Sequence, residues 1–405
     1  MRHTSRATAR RRSRRWGKPT WRRQRRSRGS TRRWTRSPGT SGSRPNPERR
    51  TTAGSSGYTP GAMSRPRERR RDPAHVIGDV MLGASRIQAL YVAVRLGIPD
   101  LLAHGPRSST VLASSTGVHP GALHRLMRFL VAEDFFSLTE DGSFGLNPLS
   151  EALLASAPGG LRGFVLSSGT RGWAVWGELL YSVETGHPAF DRVFGKSYFE
   201  EQQASAEALA IFDAALAPGA ESTGKALARV LAPAHCIADL GCGSGALLLQ
   251  LLQAWRGSSG IAVDSEGSLR LAMARLEAAG LGNRVRACPG DFFEEVPSGA
   301  ALYVLSLVLH DWDDERVLRL LRNCHAAMSP GARLVIVEQV APDDPRESPQ
   351  AAHADLGMLV MTGGRERTLD EYRRLLERAG LRFDSVERLA GPREVSAIQA
   401  TRGLL

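Results

Sequence analysis

The chain has only four cysteines in 405 residues (Cys236, Cys242, Cys288 and Cys324), and no two of them form a C-x-x-C pair. That spacing gives neither a zinc ribbon nor a disulfide framework. The four read as small buried side chains in a reducing compartment, and no metal is expected. No apolar run reaches the ~20 residues that cross a bilayer, and the basic N-terminus is followed by no apolar signal core. Neither a membrane partner nor secretion is expected, which leaves the cytoplasm. No fixed-period repeat is present, so a solenoid is excluded.

Acidic and aliphatic side chains are scarce at the N-terminus. Residues 1–70 hold 22 Arg and one Lys against two Glu, an excess of 21 positive charges. The other 335 residues carry 31 basic and 39 acidic side chains, so the body is mildly acidic and the net +13 belongs to the tail. A stretch so poor in side chains to bury is expected to be disordered over 1–71. Three origins compete for it. It is an upstream-extended start with the natural one near Met63, a nucleic-acid-binding arm, or an Arg- and Ser-rich transit peptide.

From Pro73 the pattern is helical. Val76 to Leu96 repeats apolar residues at three- and four-residue spacing until Gly97-Ile98-Pro99, and a short helix follows over 108–117. Gly121 to Asp134 puts Leu123, Leu126, Met127 and Leu130 on one face, and Asp141-Gly142 marks a hairpin. Three helices and a hairpin suggest a winged helix over 72–165. Its third helix offers only His124, Arg125 and Arg128, and its wing carries Glu140 and Asp141, which favours packing and dimerisation over DNA binding. Residues 166–225 read as a helical connector that contributes to a substrate pocket.

Strands then alternate with helices over 226–405, an α/β pattern with a parallel sheet. Strands are expected at 236–240, 260–264, 284–288, 301–306 and 333–338, with a last hairpin at 382–388 and 396–401. The intervening helices are expected at 245–255, 266–279 and 314–328. The turn Asp239-Leu-Gly241-Cys-Gly243-Ser-Gly245 joins the first strand to its helix, where glycine lets backbone approach a ligand. Asp264 ends the second strand, where a ribose diol can donate to it. Asp291-Phe292 follows the third strand with an acceptor for an exocyclic amine and a surface for a base. The fourth strand runs into His310-Asp311-Trp312. Asp313 and Asp314 read as the cap of the next helix.

This order of motifs resembles the class I S-adenosylmethionine-dependent methyltransferases. With Gly331 to Glu338 and Gly363-Gly-Arg-Glu-Arg-Thr368 added, residues 75–401 resemble the O-methyltransferases shared by plant phenolic and bacterial natural-product pathways. The resemblance implies a Rossmann-like domain preceded by a helical dimerisation domain that closes the partner's site. It places Gly241 near the methionine part of S-adenosylmethionine, Asp264 at the ribose, and Asp291 and Phe292 at the adenine, with Asp239, Gly243 and Trp312 supporting that pocket. It makes His310 the base, Glu338 and Glu366 its flanking acids, and Met358, in the segment that begins at Asp355, a substrate contact. Many relatives have a cation four residues before the histidine; here Ser306 stands there, which weakens or rearranges any cofactor contact.

The chemistry fits a hydroxyl acceptor, since a phenol of pKa ~10 needs a base and an unperturbed histidine near ~6.5 can serve at neutral pH. Glu366 lies in the charged run Arg365-Glu-Arg367, where a solvated ion pair is the rival reading. Two other functions compete with O-methylation of a small hydroxylated substrate. One keeps fold and cofactor for a decarboxylation or hydroxylation, which retention of His310 and both glutamates disfavours. The other is a nucleic-acid methyltransferase or DNA-binding regulator, and no Asn/Asp-Pro-Pro-aromatic motif follows the fourth strand to support it.

Overall fold

The computed structural model describes residues 72–157, 161–203, 206–391 and 394–403. The tail expected to be disordered lies outside them. The first helix, α1 (Pro73–Arg95), starts at Asp72, whose carboxylate accepts from Ala74 N, and ends before Gly97 in the left-handed region at φ 69°. Helices α2 (Ser109–Thr116) and α3 (Pro120–Ala132) follow, then the antiparallel pair β1 (Ser137–Leu138) and β2 (Phe144–Gly145). Leu123, Met127 and Leu130 of α3 are buried as their spacing requires. They share a small core with Ala93, Ile98, Leu112 and Phe144.

Only the C-terminal third of α1 enters that core. Val76, Ile77, Val80, Met81 and Leu82 stay exposed. At 23 residues, with an 18-residue window of mean hydropathy 1.2, α1 alone among the described helices reaches the length and composition of a membrane span. His75, Asp79, Arg86 and Gln88 interrupt it, so it is a long, mainly apolar helix and not an unbroken apolar run.

Short helices lead through the connector to α4 (Tyr198–Gln203) and the long α5 (Ala206–Val230). The C-terminal half then lays down β3 (Cys236–Leu240), α6 (Ala246–Ala254), β4 (Ser259–Asp264), α7 (Glu266–Ala278), β5 (Val285–Pro289) and β6 (Leu302–Ser306). It finishes with α8 (Asp314–Ala327), β7 (Arg333–Glu338), α9 (Pro349–Met361), α10 (Leu369–Arg378), β8 (Leu381–Arg388) and β9 (Ser396–Arg402). These match the expected strands and helices to within a residue or two.

The seven-stranded sheet has the order β8-β9-β7-β6-β3-β4-β5. Strands β3 to β7 run parallel, and β9 and β8 add antiparallel at one edge. Helices cover both faces, so the central strands are apolar throughout rather than alternating: Leu302–Leu305 and Leu334–Val337 are fully buried. Each such side chain contributes roughly 1.5–3 kcal/mol by leaving water. The strand order reverses between β3 and β6, which are paired neighbours. Ligands of open α/β sheets bind at the carboxyl ends of strands at such a switch point. Here the glycine turn follows β3, and His310 follows β6.

Candidate active site

A cavity of about 470 Å³ opens at that switch point. All eight residues expected around a cofactor (Asp239, Gly241, Gly243, Asp264, Asp291, Phe292, Ser306 and Trp312) lie in its wall. Gly241 has φ 75°, and a Cβ there would come within 2.9 Å of Val308 Cγ2. Both the turn and the close approach of the loop after β6 therefore require glycine. Asp264 Oδ2 accepts from Gly243 N at 2.9 Å and Oδ1 from Ser265 N at 2.7 Å, so each oxygen keeps a lone pair. Asp239 is buried and its Oδ2 has no hydrogen-bond partner. Burial, reinforced by the Asp264 charge, pushes its carboxyl up to about 7.

The wall also includes residues that no motif marks. Phe199 of α4 stacks on Trp312 at 5.1 Å and 19°, and Phe293 meets the same indole edge-on at 4.8 Å. Gln202 and Asp213 come from the connector and α5. Arg275 of α7 bonds Ser244 O at 3.1 Å and Asp213 at 3.1 Å, tying α5 to the glycine turn. These contacts join distant segments, so only the aromatic and amphipathic composition of 198–216 hinted at them.

His310 sits on a single 3-10 turn, Leu309–Asp311. Its Nδ1 lies 3.2 Å from Glu338 Oε2 and 3.3 Å from Glu366 Oε1, with neither oxygen in line for a full hydrogen bond. Its Nε2 lies 3.8 Å from Asp311 Oδ2. The other oxygen of Glu338 accepts from Val308 N (3.0 Å) and Leu309 N (2.7 Å), so one carboxylate holds both the ring and the backbone that carries it. His310, Glu338 and Glu366 are not in the cavity wall; Asp311 and Trp312, next in the chain, are. The three ligand-type atoms fall within 4.8 Å of one another, a spacing that also admits a cation.

Burial pulls the His310 pKa down, but Glu338, Asp311 and Glu366 outweigh it and push it up to about 10. Burial likewise raises Glu338 to about 7 and Asp311 to about 6, the histidine opposing both. The sequence sets Glu338 and Glu366 beside the ring but gives it an ordinary pKa; their closeness, and Asp311 as a third acid, shift it upward.

For the charged run it is the rival reading, a solvated ion pair, that the structure does not support. Glu366 is 5% exposed and Arg367 fully buried, so neither forms a solvated pair. Asp313 caps α8 through Arg316 N at 2.9 Å, whereas Asp314 turns to Arg367. Asp355 accepts from Glu366 N at 2.9 Å, and neither it nor Met358 lines the cavity. Its hydrogen bond makes it a support for Glu366.

Fold and cavity together define an α/β enzyme domain shaped for a nucleoside cofactor. Residues 176–382 match the family model of the O-methyltransferase domain, and residues 79–156 that of the O-methyltransferase dimerisation domain. The chain belongs to this O-methyltransferase family. It is 38% identical over 301 residues to phenazine O-methyltransferase PhzM of Lysobacter antibioticus, covering 74% of this chain and 88% of that enzyme. It is 35% identical to the mitomycin biosynthesis 6-O-methyltransferase of Streptomyces lavendulae, over 80% and 93% of the two chains. Among solved structures, the mitomycin 7-O-methyltransferase MmcR superposes with a TM-score of 0.78 at 33% identity, covering 82% of this chain and 98% of that one. NcsB1 from neocarzinostatin biosynthesis, solved with S-adenosylmethionine and 2-hydroxy-5-methyl naphthoic acid, gives 0.69 at 32% identity over 79% and 96%.

Proposed function

We propose that this S-adenosylmethionine-dependent O-methyltransferase acts on a hydroxyl of a small aromatic or polyketide-like natural product, as a homodimer, with His310 as the general base. The observation that carries the proposal is the imidazole held by Glu338 and Glu366 on a turn whose next two residues wall the cofactor cavity. The exposed apolar face of α1, within and beside the matched dimerisation domain, supports the homodimer.

The cavity suits the cofactor by its own chemistry. The unpartnered Asp239 oxygen awaits a cation or donor, and Gly241 leaves space that any Cβ would fill. Asp264 keeps acceptor capacity for a diol, while Phe292, Phe293 and Trp312 offer aromatic surface. Once bound, S-adenosylmethionine supplies an electrophilic methyl on a sulfonium. The protein's part is to free and aim the acceptor. Nδ1 faces the two glutamates, so Nε2 takes the hydroxyl proton. As that O–H bond breaks and N–H forms, the acceptor oxygen becomes the nucleophile that a bound methyl donor would require.

A histidine raised to about 10 matches a phenol of pKa ~10, so proton transfer between them is nearly thermoneutral. Glu338 and Glu366 then stabilise the imidazolium that forms. Incubation with methyl-labelled cofactor and a panel of phenols, hydroxynaphthoates and aryl amines is expected to place the label on a phenolic oxygen. Label confined to nitrogen, with every phenol refused, contradicts the acceptor class.

A further inference from the structure

The segment Gly364–Arg367 lies along the turn that carries His310, and it bonds the carbonyls of Leu309, His310 and Trp312. Arg365 N–H donates to His310 O at 2.8 Å. The buried Arg367 guanidinium donates from Nη1 to Leu309 O at 2.8 Å and from Nη2 to Trp312 O at 2.7 Å. Its Nε and Nη2 reach Asp314 Oδ1 at 2.9 and 2.8 Å. Gly364 packs so close that a Cβ would lie 2.0 Å from His310 O. On the other side, Glu338 Oε1 takes the Val308 and Leu309 N–H groups. The two amides that enter the turn thus end on a carboxylate, and the carbonyls of Leu309, His310 and Trp312 on a guanidinium and a neighbouring amide.

We propose that Arg367 is a positioning residue for methyl transfer. It holds Leu309–Asp311 so that the His310 ring stays against Glu338 and Glu366 while Asp311 and Trp312 stay in the cofactor wall. Leu309 O and Trp312 O bracket the turn, and one rigid planar group bonded to both sets the distance between them. A lysine ammonium is a point charge on a flexible stem and cannot span the two in the same way. Burying a cation completely is costly, and a pair to Asp314 alone would not require it, because that side chain is 48% exposed. The approach to the turn adds to the need for a clamp: Leu307 has φ 55°, a left-handed backbone that a branched side chain rarely adopts. The dipeptide Glu366-Arg367 therefore orients the ring with one side chain and its backbone with the next.

This inference rests on the reading of His310 as the base, and the experiment separates the two. Full-length Arg367→Lys and Asp314→Asn are compared with the parent, with rates expressed per site that binds S-adenosylhomocysteine. Arg367→Lys is expected to lower kcat about 100-fold, the cost of a displacement on the order of 1 Å, with acceptor KM nearly unchanged and a smaller loss of cofactor affinity through Asp311 and Trp312. Its rising pH limb moves to lower pH, because a ring that slips from its acids holds a proton less tightly. Asp314→Asn leaves Arg367 its carbonyl partners, so a loss of about tenfold in the same direction is expected. It decides the matter if the lysine variant does not fold. A purely structural role reduces the number of binding sites and leaves the rate per site and the pH limb at parental values; that result in either variant overturns the proposal. His310→Ala runs in the same assay, and if it keeps parental turnover the base assignment fails whatever the other variants show.

Discussion

His310→Ala lowers kcat by about three orders of magnitude, within the range that general bases contribute, while S-adenosylhomocysteine binds as it does to the parent. The separation follows from the geometry. The imidazole lies outside the cavity wall, whose residues come from the glycine turn, the end of β4, the loop after β5, α4, α5 and the chain on either side of the ring. Truncating the ring removes the proton acceptor and leaves Asp264, Phe292 and Trp312 in place. Equilibrium dialysis of the labelled product cofactor, beside single-turnover kinetics, measures both halves. Equal losses in affinity and rate would mean that the ring supports the cavity.

Glu338→Ala has the second large effect, on stability as well as rate. Glu338 Oε1 is the acceptor for Val308 N and Leu309 N, and its Oε2 faces the buried histidine. Alanine strands two buried donors and removes the foremost of the three acids that compensate the ring's charge. Breaking a buried charge pair from one side costs about 3–5 kcal/mol, and each orphaned N–H adds to the same loss. Urea unfolding is expected to show a lower midpoint, and turnover falls even where the protein remains folded. Glu338→Gln keeps an oxygen for both N–H groups and is expected to recover most of the stability. An alanine variant with parental unfolding would contradict the double role given to Glu338.

The parts of this site that were legible in the sequence are those imposed by local rules. Parallel strands buried on both faces write themselves as apolar runs, which is why 302–306 and 334–338 could be read directly. The glycine turn was legible because Gly241 must adopt a left-handed backbone against Val308. Glu338 was legible as the acid that ends such a run. Arg367 was not, because a charged run resembles a solvated loop until its carbonyl partners, more than fifty residues away, come into view. Glu338 and Glu366 were legible as partners of His310, but their distances to the ring, and so its basicity, were not. That basicity depends on three acids, two of them from distant segments, and no single stretch of chain contains the sum. Phe199 stacking on Trp312 is likewise a product of the fold alone.

The central claim is that His310 is the base and that its proton affinity is set by the acids around it. The pH dependence of kcat/KM in the parent and in Glu338→Gln tests it most directly. In the parent the ring is held protonated through neutrality, so the rate rises with pH toward a pKa of about 10. Coupling to Glu338 and Asp311, themselves raised to about 7 and about 6, makes that limb a property of the cluster. Glu338 is the foremost of the acids that raise the histidine, so its neutralisation lets the imidazolium release its proton more readily. The rising limb of Glu338→Gln is predicted to lie at lower pH than that of the parent. A limb that stays in place, or moves to higher pH, would contradict the account.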